Sequence, residues 1–151
     1  GRVRPWRLGA GGAAVALALA LALLAPIQAG PRAAVPAAEG AETFTPVRLA
    51  ALREAGRPVF VDMTAAWCVT CLVNERVAID ARAVRQAFQD RNVIYLKGDW
   101  TRQDPALTAF LRENGRDGVP LYLFYPARAE APVVLPQILT ARTVLAVLGA
   151  G

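Results

Sequence analysis

The stretch that decides the fold is Val59-Phe60-Val61-Asp62-Met63-Thr64-Ala65-Ala66-Trp67-Cys68-Val69-Thr70-Cys71. Val59, Phe60 and Val61 form a short continuous apolar run, the pattern of a buried strand, closed by Asp62 and Met63. Two cysteines three residues apart follow that strand and open a helix, the context in which a Cys-x-x-Cys pair reads as a redox motif. On a helical turn this spacing lets two sulfurs close a small ring with little backbone movement. Cys68 falls at the helix N-terminus, where unpaired N–H groups and the macrodipole favour a thiolate. Cys71 lies one turn deeper. The asymmetry assigns attack on a partner disulfide to Cys68 and resolution of the mixed disulfide to Cys71. Two other readings stand beside it. An inert disulfide is permitted in an oxidising compartment, although so short a loop constrains the unfolded chain little. A Cu(I) carrier would suit two soft thiolates, but in copper-carrier loops a Met-Thr pair directly precedes the first cysteine, and here three residues follow Met63-Thr64 before Cys68.

Working outward, helix and strand signals alternate. Thr45-Pro46 is a cap with proline at the first helical position, and Gly56 ends that helix. A helix is expected from the cysteine pair to about Val77, and Asp80 is expected to cap another reaching about Asp90. Val93–Leu96 reads as a second strand, Asp104-Pro105 as a helix start, and Asn114-Gly115 as its stop. Leu121–Tyr125 and Val133–Leu135 read as further strands, and Thr140–Leu148 as the closing helix. Strands separated by helical segments imply a mixed sheet covered on both faces.

Towards the N-terminus the character changes. Leu8 to Ile27 carries no charge. As a helix, Leu8–Ala25 would extend about 27 Å against a hydrocarbon core of roughly 30 Å. Arg2, Arg4, Arg7 and Trp6 resemble the cytoplasmic flank of a span. The alternative is a cleaved signal peptide, against which Ile27 is too large for the position three residues before a cut after Ala29. Gln28–Glu42, rich in Ala, Pro and Gly, reads as a linker. The expected organisation is therefore a transmembrane helix in residues 1–28, a linker in 29–42, and an α/β domain in 43–151. Because the chain starts with Gly1 and its single methionine is Met63, it is expected to be a fragment or a processed product.

Composition removes several classes. At 55% hydrophobic and 19% charged residues the 151-residue chain is too apolar for disorder. The absence of histidine excludes His-based triads and imidazole metal sites, and two cysteines are too few for an ordinary structural zinc site. The net charge of +5 is partly concentrated in the first seven residues, and no basic stripe interleaved with aromatics supports a nucleic-acid partner.

With these residues in place, the Val59–Met63 strand and the Ala66–Cys71 turn resemble the active-site region of the thioredoxin superfamily. More narrowly, they resemble the C-terminal periplasmic domain of DsbD-type thiol:disulfide interchange proteins. Lys97-Gly98-Asp99-Trp100-Thr101 and Gly118-Val119-Pro120 add to the match. Val69-Thr70 departs from the Gly-Pro usual in thioredoxin, and Leu72 stands where many members carry Lys. The resemblance implies a thioredoxin fold preceded by one membrane helix. It implies that Pro120 is a cis-proline whose loop, with Val119, lies against the disulfide and receives an extended substrate. It implies that Asp62 is a buried carboxylate beneath the cysteines and Glu75 a second acidic group near them, although Glu75 on its own reads equally as an exposed helix residue. Trp67 is expected to shield the disulfide from water, and Trp100 to pack in or beside the core.

The function implied is that of a membrane-tethered protein-disulfide reductase of the bacterial inner membrane, with its catalytic domain in the periplasm. Its expected partners are membrane and periplasmic domains of the same polypeptide and oxidised periplasmic thiol proteins. No cofactor beyond the Cys68–Cys71 pair and no metal is expected. A stand-alone tethered reductase for cytochrome c maturation is the nearest alternative, and a redox-inactive interaction domain a more distant one. No His or Lys lies near the motif in sequence, and Asp62 and Glu75 would oppose a thiolate. The expected reduction potential is therefore nearer the ~−270 mV of thioredoxin than the ~−120 mV of DsbA.

Overall fold

The computed structural model describes residues 40–149. The expected membrane segment, residues 1–28, and residues 29–39 of the expected linker lie outside the described residues. Among the described residues no helix is long and apolar enough to cross a membrane.

The elements run β1 (Ala41–Thr43), α1 (Pro46–Glu54), β2 (Val59–Thr64), α2 (Val69–Asn74), a π-helical turn (Glu75–Ile79), α3 (Arg82–Asp90), β3 (Ile94–Asp99), α4 (Pro105–Glu113), β4 (Leu121–Tyr125), β5 (Val133–Val134) and α5 (Ala141–Gly149). The sheet order is β1-β3-β2-β4-β5, with β1, β3 and β2 parallel and β4 and β5 antiparallel to their neighbours. This is the mixed sheet of the thioredoxin fold, with helices on both faces.

Side-chain alternation along the central strands sorts the core into two halves. Val59, Val61 and Met63 point to one face, where they meet Leu49, Leu52, Phe110 and Leu111 from α1 and α4. Phe60 points to the other, among Ile79, Val84, Phe88, Tyr95, Tyr122 and Val144. Asp62 and Thr64 share the phase of Phe60 and so enter this second core. The two capped helices form as their sequences dictate. Thr45 Oγ1 accepts from Arg48 N at 3.0 Å, and Asp104 Oδ1 accepts from Ala106 N and Leu107 N at 2.8 and 3.2 Å.

Four expectations are corrected. Ala41 and Glu42, read as linker, belong to β1, which gains its regularity from parallel pairing with Tyr95 and Leu96 and not from its own composition. β2 extends to Thr64 and β3 to Asp99, because the two are paired in register over six residues. Asp80 does not cap α3. It follows the π-helical turn, and Ala81 takes the cap position without a side-chain hydrogen bond. The strand expected at Val133–Leu135 is only Val133–Val134, β5, while Leu135 turns inward to the second core.

Gly98 lies on β3 directly beside Met63 in register. A Cβ at Gly98 would overlap the Met63 thioether sulfur and stand 3.0 Å from Met63 Cε. Gly98→Ala is therefore expected to lower stability by about 1–3 kcal/mol through overpacking. Urea unfolding midpoints of the two proteins measure this, and an unchanged midpoint would show that Met63 moves aside freely.

Candidate active site

The last residues of β2 deliver the chain into a tight turn that Thr101 holds from the neighbouring loop. Thr101 Oγ1 accepts from Ala66 N at 2.8 Å, and Thr101 O accepts from Trp67 Nε1 at 3.3 Å. Asp99 Oδ1 in turn accepts from Thr101 N at 2.9 Å, which fixes the loop that does the holding. Cys68 emerges from this turn as the N-cap of α2, its Sγ accepting from Cys71 N at 3.2 Å. A sulfur in that position receives an N–H that the helix leaves unpaired, which favours its anionic form.

Cys68 and Cys71 form a disulfide with Cα atoms 5.3 Å apart. Cys68 is 7% exposed and Cys71 1%. The expected asymmetry is present in direction, but Cys68 is itself largely covered. Ala65 and Val119 pack against the pair, and the Val119–Pro120 peptide bond is cis. Trp67 stands half-exposed beside Cys68 with its ring centroid 5.9 Å from that of Trp100. Trp100 is buried in the first core and donates through Nε1 to Thr108 Oγ1 at 2.8 Å.

Asp62, Tyr95, Glu75 and Lys97 form a buried polar cluster. Asp62 is 1% exposed, and its Oδ2 accepts from Tyr95 Oη at 2.8 Å. Neither Asp62 Oδ1 nor Thr64 Oγ1 has a hydrogen-bond partner among the described residues. Burial pushes the Asp62 carboxyl up to about 7, with Glu75 and Asp80 adding to the rise and the Tyr95 hydrogen bond and Lys97 opposing it. Burial, reinforced by the Asp62 charge, also raises the Tyr95 and Tyr122 phenols above their ordinary value. Glu75 follows Cys71 by one helical turn, its N–H donating to Cys71 O. Its side chain is ion-paired with Lys97, and the two are 14% and 6% exposed. The reading of Glu75 as a solvated helix residue is thus corrected.

Sequence reasoning quotes Lys97 only as part of the family match and gives it no role at the site. It is the only lysine in the chain. It lies opposite Asp62 in the β2–β3 register, which carries it to the site from 26 residues beyond Cys71. A lone lysine inside an apolar strand, in phase with Tyr95, was the available signal. No His or Lys lies near the motif in sequence, as read, but sheet register brings Lys97 to Glu75, which meets its charge. Asn74 was missed as well. Its Nδ2 donates to Tyr122 Oη at 3.1 Å and Gln137 O at 2.6 Å, and its Oδ1 accepts from Leu139 N at 3.1 Å.

The model of the thioredoxin-like family matches residues 41–127, which include the cysteine turn, the Lys97–Thr101 segment and the cis-proline. The chain belongs to the thioredoxin-like family. Among curated proteins, this thioredoxin-like domain is similar to the thiol:disulfide interchange protein DsbD of Ralstonia nicotianae, at 36% identity over 94 residues. That match covers 62% of this chain and 15% of the relative. DsbD 1 of Pseudomonas aeruginosa is 34% identical over 77 residues, covering 51% of this chain and 13% of the relative. The domain thus spans a small part of the length of these relatives. Of solved structures, the reduced DsbD C-terminal domain of Neisseria meningitidis superposes with a TM-score of 0.58 at 22% identity. That superposition covers 72% of this chain and 98% of the other. A thioredoxin from Thermus thermophilus gives 0.57 at 16%, covering 74% and 86%. The domain thus carries a Cys-x-x-Cys disulfide on a thioredoxin fold, in a chain similar to thiol:disulfide interchange proteins.

The Asp62 carboxyl has a consequence for stability. Its folded-state value near 7 exceeds the ordinary unfolded value near 4, so between those limits the native state holds a proton that the unfolded chain has released. Stability is then greatest below the lower value and falls as pH rises through 7. Between pH 5 and 8 this group alone is expected to remove roughly 2–3 kcal/mol, a loss that Asp62→Asn abolishes. Urea unfolding of both proteins at the two pH values measures the difference, and parallel behaviour would contradict a protonated buried Asp62.

Proposed function

We propose that this domain is the terminal part of a membrane-tethered protein-disulfide reductase. It would take electrons from a membrane domain of the same polypeptide and pass them to periplasmic thiol proteins. The observation that carries this reading is the unequal placement of the two sulfurs, one at the N-cap of α2 and one enclosed a turn deeper. Similarity to DsbD supports the order of electron flow, and the uncharged run from Leu8 to Ile27 supports the tether and a periplasmic location at the bacterial inner membrane.

In the reducing half-reaction the Cys68 thiolate bonds to one sulfur of the partner disulfide, and the other partner sulfur leaves as a thiolate. The Cys71 thiolate then bonds to Cys68 Sγ and displaces the partner's second sulfur, which completes transfer of two electrons. Asp62, with a carboxyl that titrates near neutrality, has the capacity to take the Cys71 proton as that step proceeds. Val119, packed against the pair, and the cis-Pro120 loop receive the partner backbone, with Trp67 half-exposed next to Cys68 in the chain.

Cys71→Ser is expected to accumulate mixed disulfides with partner proteins, because the resolving thiol is gone, whereas Cys68→Ser accumulates none. Nonreducing electrophoresis of the two variants reads this directly, and equal trapping by both would reverse the assignment. Asp62, Glu75 and Lys97 together supply no net positive charge, so the reduced form lacks the strong thiolate stabilisation of an oxidant. Equilibration with glutathione buffers is expected to give a potential below roughly −200 mV, and a value near −120 mV would make the domain an oxidase.

A further inference from the structure

A groove of about 720 Å³ lies at the end of the sheet away from the cysteine turn. It is lined by α3, by residues just before β1 and β2, and by the start of β3. Ile94 in its wall is about 17 Å along β3 from Asp99, which fixes the loop that holds the cysteine turn. The volume is that of a small-molecule site. Buried Ile79, Phe88, Val93 and Tyr95 give it an apolar floor. Three exposed arginines give it charge: Arg57 from the loop before β2, and Arg82 and Arg85 from α3. On α3 these two share one stripe with Gln86 and Gln89, at i, i+3, i+4 and i+7, and all four line the groove. Asp80 is the single acid in the lining, so three arginines against one aspartate leave +2. Residues 40–149 hold thirteen basic and eleven acidic side chains, so the charge gathered here equals the excess of the whole domain. The Arg82 and Arg85 side chains make no hydrogen bond or ion pair among the described residues, and Arg57 Nη2 donates to Asn92 O at 3.4 Å. Both α3 arginines also stand in the first turn of the helix, which holds no acid, at the macrodipole end that disfavours cations.

We propose that this groove binds an organic phosphate monoester, with its phosphate on Arg57, Arg82 and Arg85 and its apolar body on the floor beside Ile94 and Tyr95. Guanidinium forks pair bidentately with phosphate oxygens. A phosphate monoester carries roughly −1.5 to −2 at neutral pH, which meets the charge of the groove, whereas a single carboxylate leaves about half of it unmet. Such an anion also relieves the repulsion between the two arginines at the start of α3. The same chemistry, a phosphate monoester on an apolar body, is offered by a lipid such as phosphatidic acid and by a free aryl or alkyl phosphate. An acidic peptide fits less well, since its carboxylates are singly charged and its polar backbone would lie on the apolar floor. The site is separate from the exchange chemistry and does not depend on the reductase reading.

The test is titration calorimetry of the full chain in dodecyl maltoside with three probes: 1-naphthyl phosphate, dihexanoylphosphatidic acid and inorganic phosphate. Naphthyl phosphate is expected to saturate one site with a Kd of about 100 μM, and inorganic phosphate to bind at least about tenfold more weakly for want of an apolar body. The double variant Arg82→Gln/Arg85→Gln is expected to bind naphthyl phosphate about tenfold more weakly, with its urea midpoint unchanged. Arg57→Gln, on a different element, is expected to weaken it several-fold as well. Raising the salt from about 50 to about 500 mM is expected to weaken binding to the parent further than to the double variant. Phosphatidic acid bound more tightly than naphthyl phosphate, and lost in the double variant, would support the site with a lipid headgroup as its source. The opposite order would support it with a free phosphate as its source. Absence of saturable binding, or equal binding by the parent and the double variant, would overturn the proposal. A Glu-rich peptide that binds more tightly than either organic phosphate, and is lost in the double variant, would overturn it in favour of an acidic protein segment.

Discussion

Six consecutive residues of β2 lie in parallel register against β3, with Asp62 beside Lys97 and Thr64 beside Asp99. Much of the site follows from that pairing. It puts the end of β2 level with the loop whose Thr101 ties down the cysteine turn, so Cys68 starts its helix where the sheet leaves off. It also puts the carboxylate and the ammonium on the face that α2 and the π-helical turn cover. A slip of one residue between the two strands would put Asp62 and Lys97 on opposite faces of the sheet, because strand side chains alternate.

The buried charges are then a problem of desolvation. An isolated carboxylate in a core of Phe60, Tyr122 and Ile79 is costly to ionise, and Asp62 answers by holding its proton to near neutrality. Lys97 does not simply neutralise it, because Glu75 lies close enough to claim the ammonium. The result is a group that can gain or lose a proton in the physiological range, enclosed at the end of the strand that leads into the cysteine turn.

Much of this was readable from the chain itself. Thr45-Pro46 and Asp104-Pro105 start helices because cap and proline chemistry act locally, and Leu121–Tyr125 is a strand on its own apolar pattern. Cys68 and Cys71 were legible because their spacing and their position after a strand carry the chemistry. What escaped was nonlocal. β1 has no strand signal of its own and is ordered by its neighbour. Lys97 reaches the site through sheet register, and Asn74 finds its partners 48 to 65 residues away. The wide turn at Glu75–Ile79, which brings both Ala78 and Ile79 into the core, has no composition that marks it.

The solitary lysine has one more implication, for chemical labelling. With Lys97 enclosed and the other basic side chains all arginine, the folded domain offers amine-selective acylating reagents no lysine at its surface among the described residues. Modification of that side chain must wait for the strand and helix over it to part, so the rate at which Lys97 becomes acylated is a clock of how often this end of the sheet opens.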